Sequence, residues 1–146
     1  MKHRLFTACG LLAWLLFALA PAAAPAADSA PAAGAPQRAV FQVNEDDSRK
    51  WNTVLANINN VQEELGKVEI TVVAIGPGLG MLKADALAAN QVLDAMAAGV
   101  RFVACGNTMK SLNLGKDDMI DGIAYAKAGY VEVMRLQQQG YAYIRP

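Results

Sequence analysis

The chain has 146 residues, of which 54% are apolar, and it carries 13 basic and 13 acidic side chains. This length suits one folded domain with a single core. The sequence has no stripe of basic residues, which argues against a nucleic acid as partner.

The first 27 residues have the order of a secretory signal peptide. A basic start at residues 1–4 precedes an apolar run from Leu5 to Ala20 and an Ala/Pro-rich stretch. The apolar run is shorter than the ~20 residues of a membrane-spanning helix. We expect cleavage after Ala26 or Ala27 and a periplasmic protein with no membrane contact; a retained anchor is the alternative.

Removal of this segment limits the chemistry that remains. His3 and Cys9 leave with it, so the mature chain has no histidine and a single thiol, Cys105. Ser-His-Asp and Cys-His pairs, zinc sites built on histidine or several cysteines, and an internal disulfide are therefore excluded. Loss of Lys2 and Arg4 leaves 11 basic against 13 acidic residues, a net charge of −2. We expect no metal, nucleotide or flavin cofactor.

Residues 28–37 are rich in Ala, Pro and Gly and predict a flexible linker, so the folded domain spans residues 38–146. Apolar segments predict strands at residues 39–43, 68–75, 100–104, 123–126 and 141–144. Apolar spacing and end signals predict helices at residues 49–65, 86–98, 107–114 and 130–139, with a short helical turn at 81–83. This alternation predicts a three-layer, flavodoxin-like α/β sandwich with a mostly parallel sheet of about five strands, in the order 2-1-3-4-5.

Cys105 follows the third predicted strand and precedes a helix. Ligands of open α/β sheets bind beyond the carboxyl ends of the strands. The N–H groups at the start of a helix also stabilise an anion such as a thiolate. Lys83 and Lys110 are candidates for assisting this effect. The alternative is a buried, inert cysteine, and position alone does not decide between the two.

Three other segments supply candidate contacts for a small anion or substrate. The sequence from Gly76 to Gly80 predicts a tight turn, and the N–H groups of Gly76 and Gly78 are candidates for binding an anion, although the P-loop and dinucleotide patterns are absent. Asn107 and Thr108 are predicted as the N-cap of the third helix. Asn44 ends the first strand at the same sheet edge. The three carboxylates of residues 45–47 are compatible with a metal or acid/base site, but we predict that Asp47 or Ser48 caps the first helix and that the acids complement its N-terminal dipole.

An ordered set of segments resembles an exported member of the DsrE/DsrF-like family. These segments are Phe41-Gln-Val-Asn-Glu-Asp-Asp47, Val73-Ala-Ile-Gly-Pro-Gly78, Val103-Ala-Cys-Gly-Asn-Thr-Met109 and Gly140-Tyr-Ala-Tyr-Ile-Arg-Pro146. The resemblance implies a sulfur-relay fold, a homo-oligomer (trimer or hexamer), and a cysteine after the third strand that carries sulfur as a persulfide. Cys105 matches that position. The helix that follows it departs from the arginine-rich helix of the cytoplasmic carriers.

Two functions from different classes remain open. The first is a periplasmic sulfur carrier or sulfurtransferase, in which Cys105 accepts sulfane sulfur and exchanges it with a donor or acceptor protein. The second is a non-catalytic, oligomeric protein that binds a small anion or senses redox state, with a structural Cys105. The first function requires an accessible thiol with a lowered pKa, so the exposure of Cys105 discriminates between them.

Overall fold

A computed structural model describes residues 36–146. The predicted signal peptide and most of the predicted linker lie outside these residues. In the part of the chain that is described, no helix has both the length and the apolar character needed to span a membrane.

The described residues form one sheet with helices on both sides. The strands are β1 (Gln37–Val43), β2 (Val68–Ala74), β3 (Arg101–Cys105), β4 (Ala124–Ala126) and β5 (Ala142–Ile144). The helices are α1 (Ser48–Leu65), α2 (Ala89–Ala97), α3 (Gly106–Ser111) and α4 (Gly129–Gln138), with 3₁₀ helices at Gly76–Leu82 and Lys116–Asp118.

All strand pairs are parallel, and the strand order is β4-β3-β2-β1-β5. The predicted α/β class and five-stranded sheet are therefore confirmed, whereas the predicted order 2-1-3-4-5 is wrong. From β1 to β4 the chain adds each strand on the same side of the previous one, and it then returns to place β5 beside β1. Strand hydrophobicity does not encode this order, because β1, β2 and β3 are all buried.

The order of the strands determines which face each helix covers. Parallel connections are right-handed, so the steps from β1 to β4 place their helices on one face and the return from β4 to β5 places α4 on the other. We call these the α1–α2 face and the α4 face. Buried side chains of the α1–α2 face include Phe41, Trp51, Val54, Ile58, Val72, Val92 and Phe102. Those of the α4 face are Val40, Val73, Ile75, Val103, Cys105, Val133 and Leu136.

Helix α1 forms where its sequence predicts. The Asp47 side chain accepts a hydrogen bond from the Arg49 N–H at 2.9 Å and is the N-cap, as predicted. Gly66, with a φ of 69°, ends the helix. Trp51 is buried against the α1–α2 face, whereas Tyr143 is exposed.

The ends of two other helices differ from the prediction. Helix α2 begins at Ala89 instead of residue 86, because the Ala84 N–H bonds to Asp118 O at 2.9 Å and holds the preceding segment in a turn. Helix α3 begins at Gly106 with Cys105 as its N-cap. The predicted N-cap residues, Asn107 and Thr108, therefore lie in its first turn.

Candidate functional site

Cys105 lies between the starts of two helices. It is the last residue of β3 and the N-cap of α3, and its side chain is on the α4 face. Its Sγ accepts a hydrogen bond from the Gly129 N–H at 3.2 Å, and Gly129 is the first residue of α4. The sequence predicted one helix start beside the thiol, and the structure adds a second one from 24 residues further along the chain.

The approach of α4 to the thiol depends on glycine at position 129. Strand β4 pairs with β3 so that Ala126 is beside Cys105, and the chain turns from there into α4. A Cβ atom on Gly129 would lie 2.6 Å from Ile75 Cγ1 and 3.1 Å from Cys105 Cβ. Any other residue would therefore push the first turn of α4 away from the thiol.

Two opposing effects set the pKa of the Cys105 thiol. Burial raises the pKa, because it disfavours the charged thiolate. The Thr108 hydroxyl, the Gly129 N–H and the nearby N–H groups of Thr108 and Asn107 stabilise the thiolate and outweigh burial, so the pKa is lowered from its ordinary value. The direction agrees with the predicted activation by helix N–H groups.

The predicted accessibility of Cys105 is wrong for this structure, because only 4% of the residue is exposed. The thiol packs among apolar side chains of the α4 face and is covered by the first turn of α4. The position that brings hydrogen-bond donors to the thiol is also the position that buries it. Chemistry at Cys105 therefore requires local movement of the groups around it.

The two glycines predicted to bind an anion use their N–H groups within the chain. The Gly76 N–H donates to Thr108 Oγ1 at 3.0 Å, and the Gly78 N–H donates to Asn44 O at 3.0 Å. A Cβ on Gly78 would overlap the Val43 carbonyl oxygen, so glycine is needed there for close packing against the end of β1. Anion binding at these glycines stays a prediction, and in the structure both N–H groups donate to other parts of the chain.

Asn44 reaches the same turn of α4 as Cys105. Its Nδ2 donates to Tyr130 Oη at 2.9 Å, and its Oδ1 accepts from Gln42 Nε2 at 2.7 Å. Tyr143 Oη in turn donates to Gln42 Oε1 at 2.9 Å. This chain of hydrogen bonds joins β5 and β1 to the start of α4, and it holds the residue after Gly129 in place.

Asn107 is the second residue of α3. Its side chain is exposed, and its N–H donates to Lys127 O at 3.0 Å, which ties α3 to the segment that leads into α4. Of the two lysines predicted to assist the thiol, Lys83 pairs with Asp85 at 3.0 Å. Among residues 36–146, no group of three or more His, Cys, Asp or Glu side chains is placed to hold a metal ion.

Sequence reasoning missed Gly129, which is the residue that brings a second donor to the thiol. The hydrogen bond joins residues far apart in the chain, and no local pattern reports it. A weak signal exists in the small pair Ala128-Gly129 immediately before an amphipathic helix, since small residues at a helix start permit close approach of another backbone or side chain.

The fold and site define a parallel α/β protein with a buried thiol at the carboxyl edge of its sheet, beside two helix starts. The sequence model of the DsrE/DsrF-like family matches residues 37–146, and the chain belongs to this family. The resemblance seen in the sequence is thereby confirmed at the level of the family. No curated protein matches the chain.

Two solved structures are similar to this protein. One is the protein of unknown function MTH1491 from Methanobacterium thermoautotrophicum, with 34% identity and a TM-score of 0.74, covering 75% of this chain and 99% of that one. The other is the conserved protein of unknown function BT1422 from Bacteroides thetaiotaomicron, with 12% identity and a TM-score of 0.64, covering 75% and 95%. The second similarity concerns the fold alone.

Proposed function

We propose that this protein acts in sulfur relay and that Cys105 carries sulfane sulfur as a persulfide. Membership of the DsrE/DsrF-like family supports sulfur relay in general. The observation that carries the residue assignment is the hydrogen bond from the Gly129 N–H to Cys105 Sγ, which belongs to a set of donors that lowers the pKa of the thiol. A lowered pKa increases the fraction of thiolate, which is the nucleophilic form.

The proposed transfer is an exchange at sulfur. The Cys105 thiolate attacks the outer sulfur of a persulfide R–S–SH, the S–S bond of the donor breaks, and R–S⁻ leaves with the bonding electron pair. Cys105 then holds the sulfur as Cys–S–SH, and attack by an acceptor thiolate on the outer sulfur reverses the sequence. No oxidant or reductant is consumed, because the sulfane sulfur keeps its oxidation state.

Burial of the thiol imposes a condition on this proposal. With 4% of Cys105 exposed, the donor reaches the sulfur only when the first turn of α4 or the Thr108 side chain moves. Local openings of this kind occur at free energies below that of global unfolding. We therefore expect sulfur loading to be slower than for an exposed thiol of equal pKa.

The same burial favours a second function, a binding protein in which Cys105 is structural. In that case the hydrogen bond from Gly129 fixes α4 on the sheet, and the thiol is never loaded. For both functions we propose export by the signal peptide of residues 1–27, a periplasmic location and a homo-oligomer, as the sequence predicts.

The test is intact mass after incubation with an inorganic polysulfide, on full-length protein carrying Cys9→Ser so that Cys105 is the only thiol. We expect a gain of one sulfur atom that is lost on treatment with dithiothreitol. Protein carrying Cys9→Ser and Cys105→Ser is the control and should gain nothing. If Cys105 gains no sulfur and is alkylated only when the protein is globally unfolded, the carrier function fails and the binding function replaces it.

A further inference from the structure

A cavity of about 650 Å³ lies at the carboxyl edge of the sheet, between the 3₁₀ helix Gly76–Leu82 and α3. Its volume is within the ~300–1,000 Å³ that is usual for small-molecule sites. Trp51, Leu112 and Leu114 form apolar parts of its wall. The cavity therefore suits an organic molecule better than a bare inorganic ion.

The charges around the cavity favour a ligand with an amino group. Asp46 and Asp85 contribute two carboxylates to the wall and Lys83 contributes one ammonium group, so the net charge is negative. Lys83 pairs with Asp85 at 3.0 Å, whereas Asp46 makes no ion pair with any residue of the described part of the chain. Asp46 is thus the group left to bind a cation.

Thr108 links the cavity to the surroundings of the thiol. It lines the cavity, and its hydroxyl also lowers the pKa of Cys105. Gly76, which lines the cavity as well, holds the Thr108 hydroxyl by its N–H at 3.0 Å. A change of the Thr108 rotamer would therefore open the wall between a ligand in the cavity and the sulfur.

We propose that this cavity binds a low-molecular-weight peptide thiol with a free amino group, and that its persulfide is the sulfur donor for Cys105. Asp46 binds the ammonium group, and the apolar wall contacts the body of the ligand. The binding stands on the cavity itself, whereas the donor role rests on the proposed function. In the transfer the Cys105 thiolate takes the outer sulfur of the bound persulfide, the S–S bond breaks, and the peptide thiolate is released.

Binding is measured on full-length protein that carries Cys9→Ser and Cys105→Ser, so that no sulfur chemistry takes place. The probe is the dipeptide amide S-methylcysteinylglycinamide, whose only charged group is its ammonium, titrated by calorimetry beside its N-acetyl derivative. We expect saturable binding at one site, and about fivefold weaker binding of the N-acetyl compound, the upper range for an exposed ion pair. Asp46→Asn should weaken the amine-bearing probe by a similar factor and leave the N-acetyl compound unaffected.

Asp94→Asn is the matched control, since Asp94 is an exposed acid on α2 outside the cavity, and it should not change the affinity. The proposal is overturned if the probe does not bind, or if Asp46→Asn and N-acetylation have no effect on its affinity. It is also overturned if an excess of thiosulfate abolishes binding of the probe. If the probe binds as expected but Cys105 gains no sulfur in the mass experiment, the cavity assignment stands and the donor role is overturned with the proposed function.

Discussion

The two faces of the sheet differ in what they bury. The α1–α2 face holds large side chains from three α-helices, a 3₁₀ helix and three strands, among them Phe41, Phe102 and Trp51. The α4 face is covered by a helix of ten residues, and its buried cluster is made of smaller aliphatic side chains together with the Cys105 thiol. Buried polar side chains also lie on this face, Gln42 and Thr71.

The two faces therefore have different roles: the α1–α2 face provides most of the folding stability, and the α4 face holds the reactive thiol. Aromatic and aliphatic burial on the α1–α2 face removes most of the apolar surface from water, which is the main favourable term in folding. The α4 face buries fewer and smaller side chains, so we expect displacement of the first turn of α4 to cost less free energy than displacement of α1 or α2. A thiol placed under that turn is protected by it and becomes available when it moves.

The largest effect on stability is expected for Phe102→Ala, which removes a ring that is 1% exposed on the α1–α2 face. We expect a loss of about 3–5 kcal/mol in the free energy of unfolding, measured by urea denaturation. The pH profile of Cys105 alkylation in the folded protein should not change, because the ring lies on the other side of the sheet. A shifted profile would show that the two faces are coupled.

A smaller effect on stability, but the largest on the thiol, is expected for Gly129→Ala. The added Cβ would collide with Ile75 and Cys105, and overpacking of this kind costs about 1–3 kcal/mol. Displacement of α4 also removes the N–H donor at 3.2 Å, so the pKa of the thiol should rise. Both are measured on one sample, stability by urea denaturation and the pKa by the rate of iodoacetamide alkylation against pH.

Gly115→Ala is the control for that change. A Cβ there would approach only Asp118 Oδ2, at 3.6 Å, and Asp117 N, at 4.0 Å, which are ordinary contacts. Neither stability nor the alkylation profile should change. If Gly129→Ala behaves like Gly115→Ala, the first turn of α4 does not hold the thiol.

How much of this arrangement is predictable from sequence depends on how local the determining contacts are. Helix α1 is predictable to within a residue, because its apolar spacing and its Asp47 cap are encoded inside the helix. The strand order and the contact of Gly129 with Cys105 are not predictable in this way, because both depend on segments that are far apart in the sequence. The thiol was recognisable as a site from its position after β3, while its burial depends on α4 and was not.

The hydroxyl of Thr108 gives a smaller expected effect. Thr108→Val keeps the shape and removes both the acceptor for the Gly76 N–H and a donor to the thiol. We expect a loss of about 1 kcal/mol in the free energy of unfolding, because the Gly76 N–H is left without an acceptor at a partly buried position. The alkylation rate rises with pH as the thiolate forms, and its midpoint should shift upward because the pKa of the thiol rises toward its ordinary value.

Thr53→Val is the matched control, because Thr53 Oγ1 donates to Arg49 O within α1, on the exposed surface. Its alkylation midpoint should equal that of the unchanged protein. A midpoint that stays in place in Thr108→Val would mean that the N–H groups alone set the pKa of Cys105.

The smallest effect is expected for the ion pair that ties α4 to β3. Arg101 Nη1 lies 3.2 Å from Glu132 Oε1, and half of the arginine side chain is exposed, so water and salt screen the pair. Arg101→Gln should cost about 0.2–1 kcal/mol in unfolding free energy, and the loss should shrink at high salt. Glu132→Gln should cost as much, and the double variant little more than either, since both changes remove the same interaction.

A loss above about 2 kcal/mol, beyond what exposed pairs provide, would mean that charge holds α4 on the sheet. In that case the opening that exposes Cys105 would depend on ionic strength, whereas apolar packing of Val133 and Leu136 predicts that it does not.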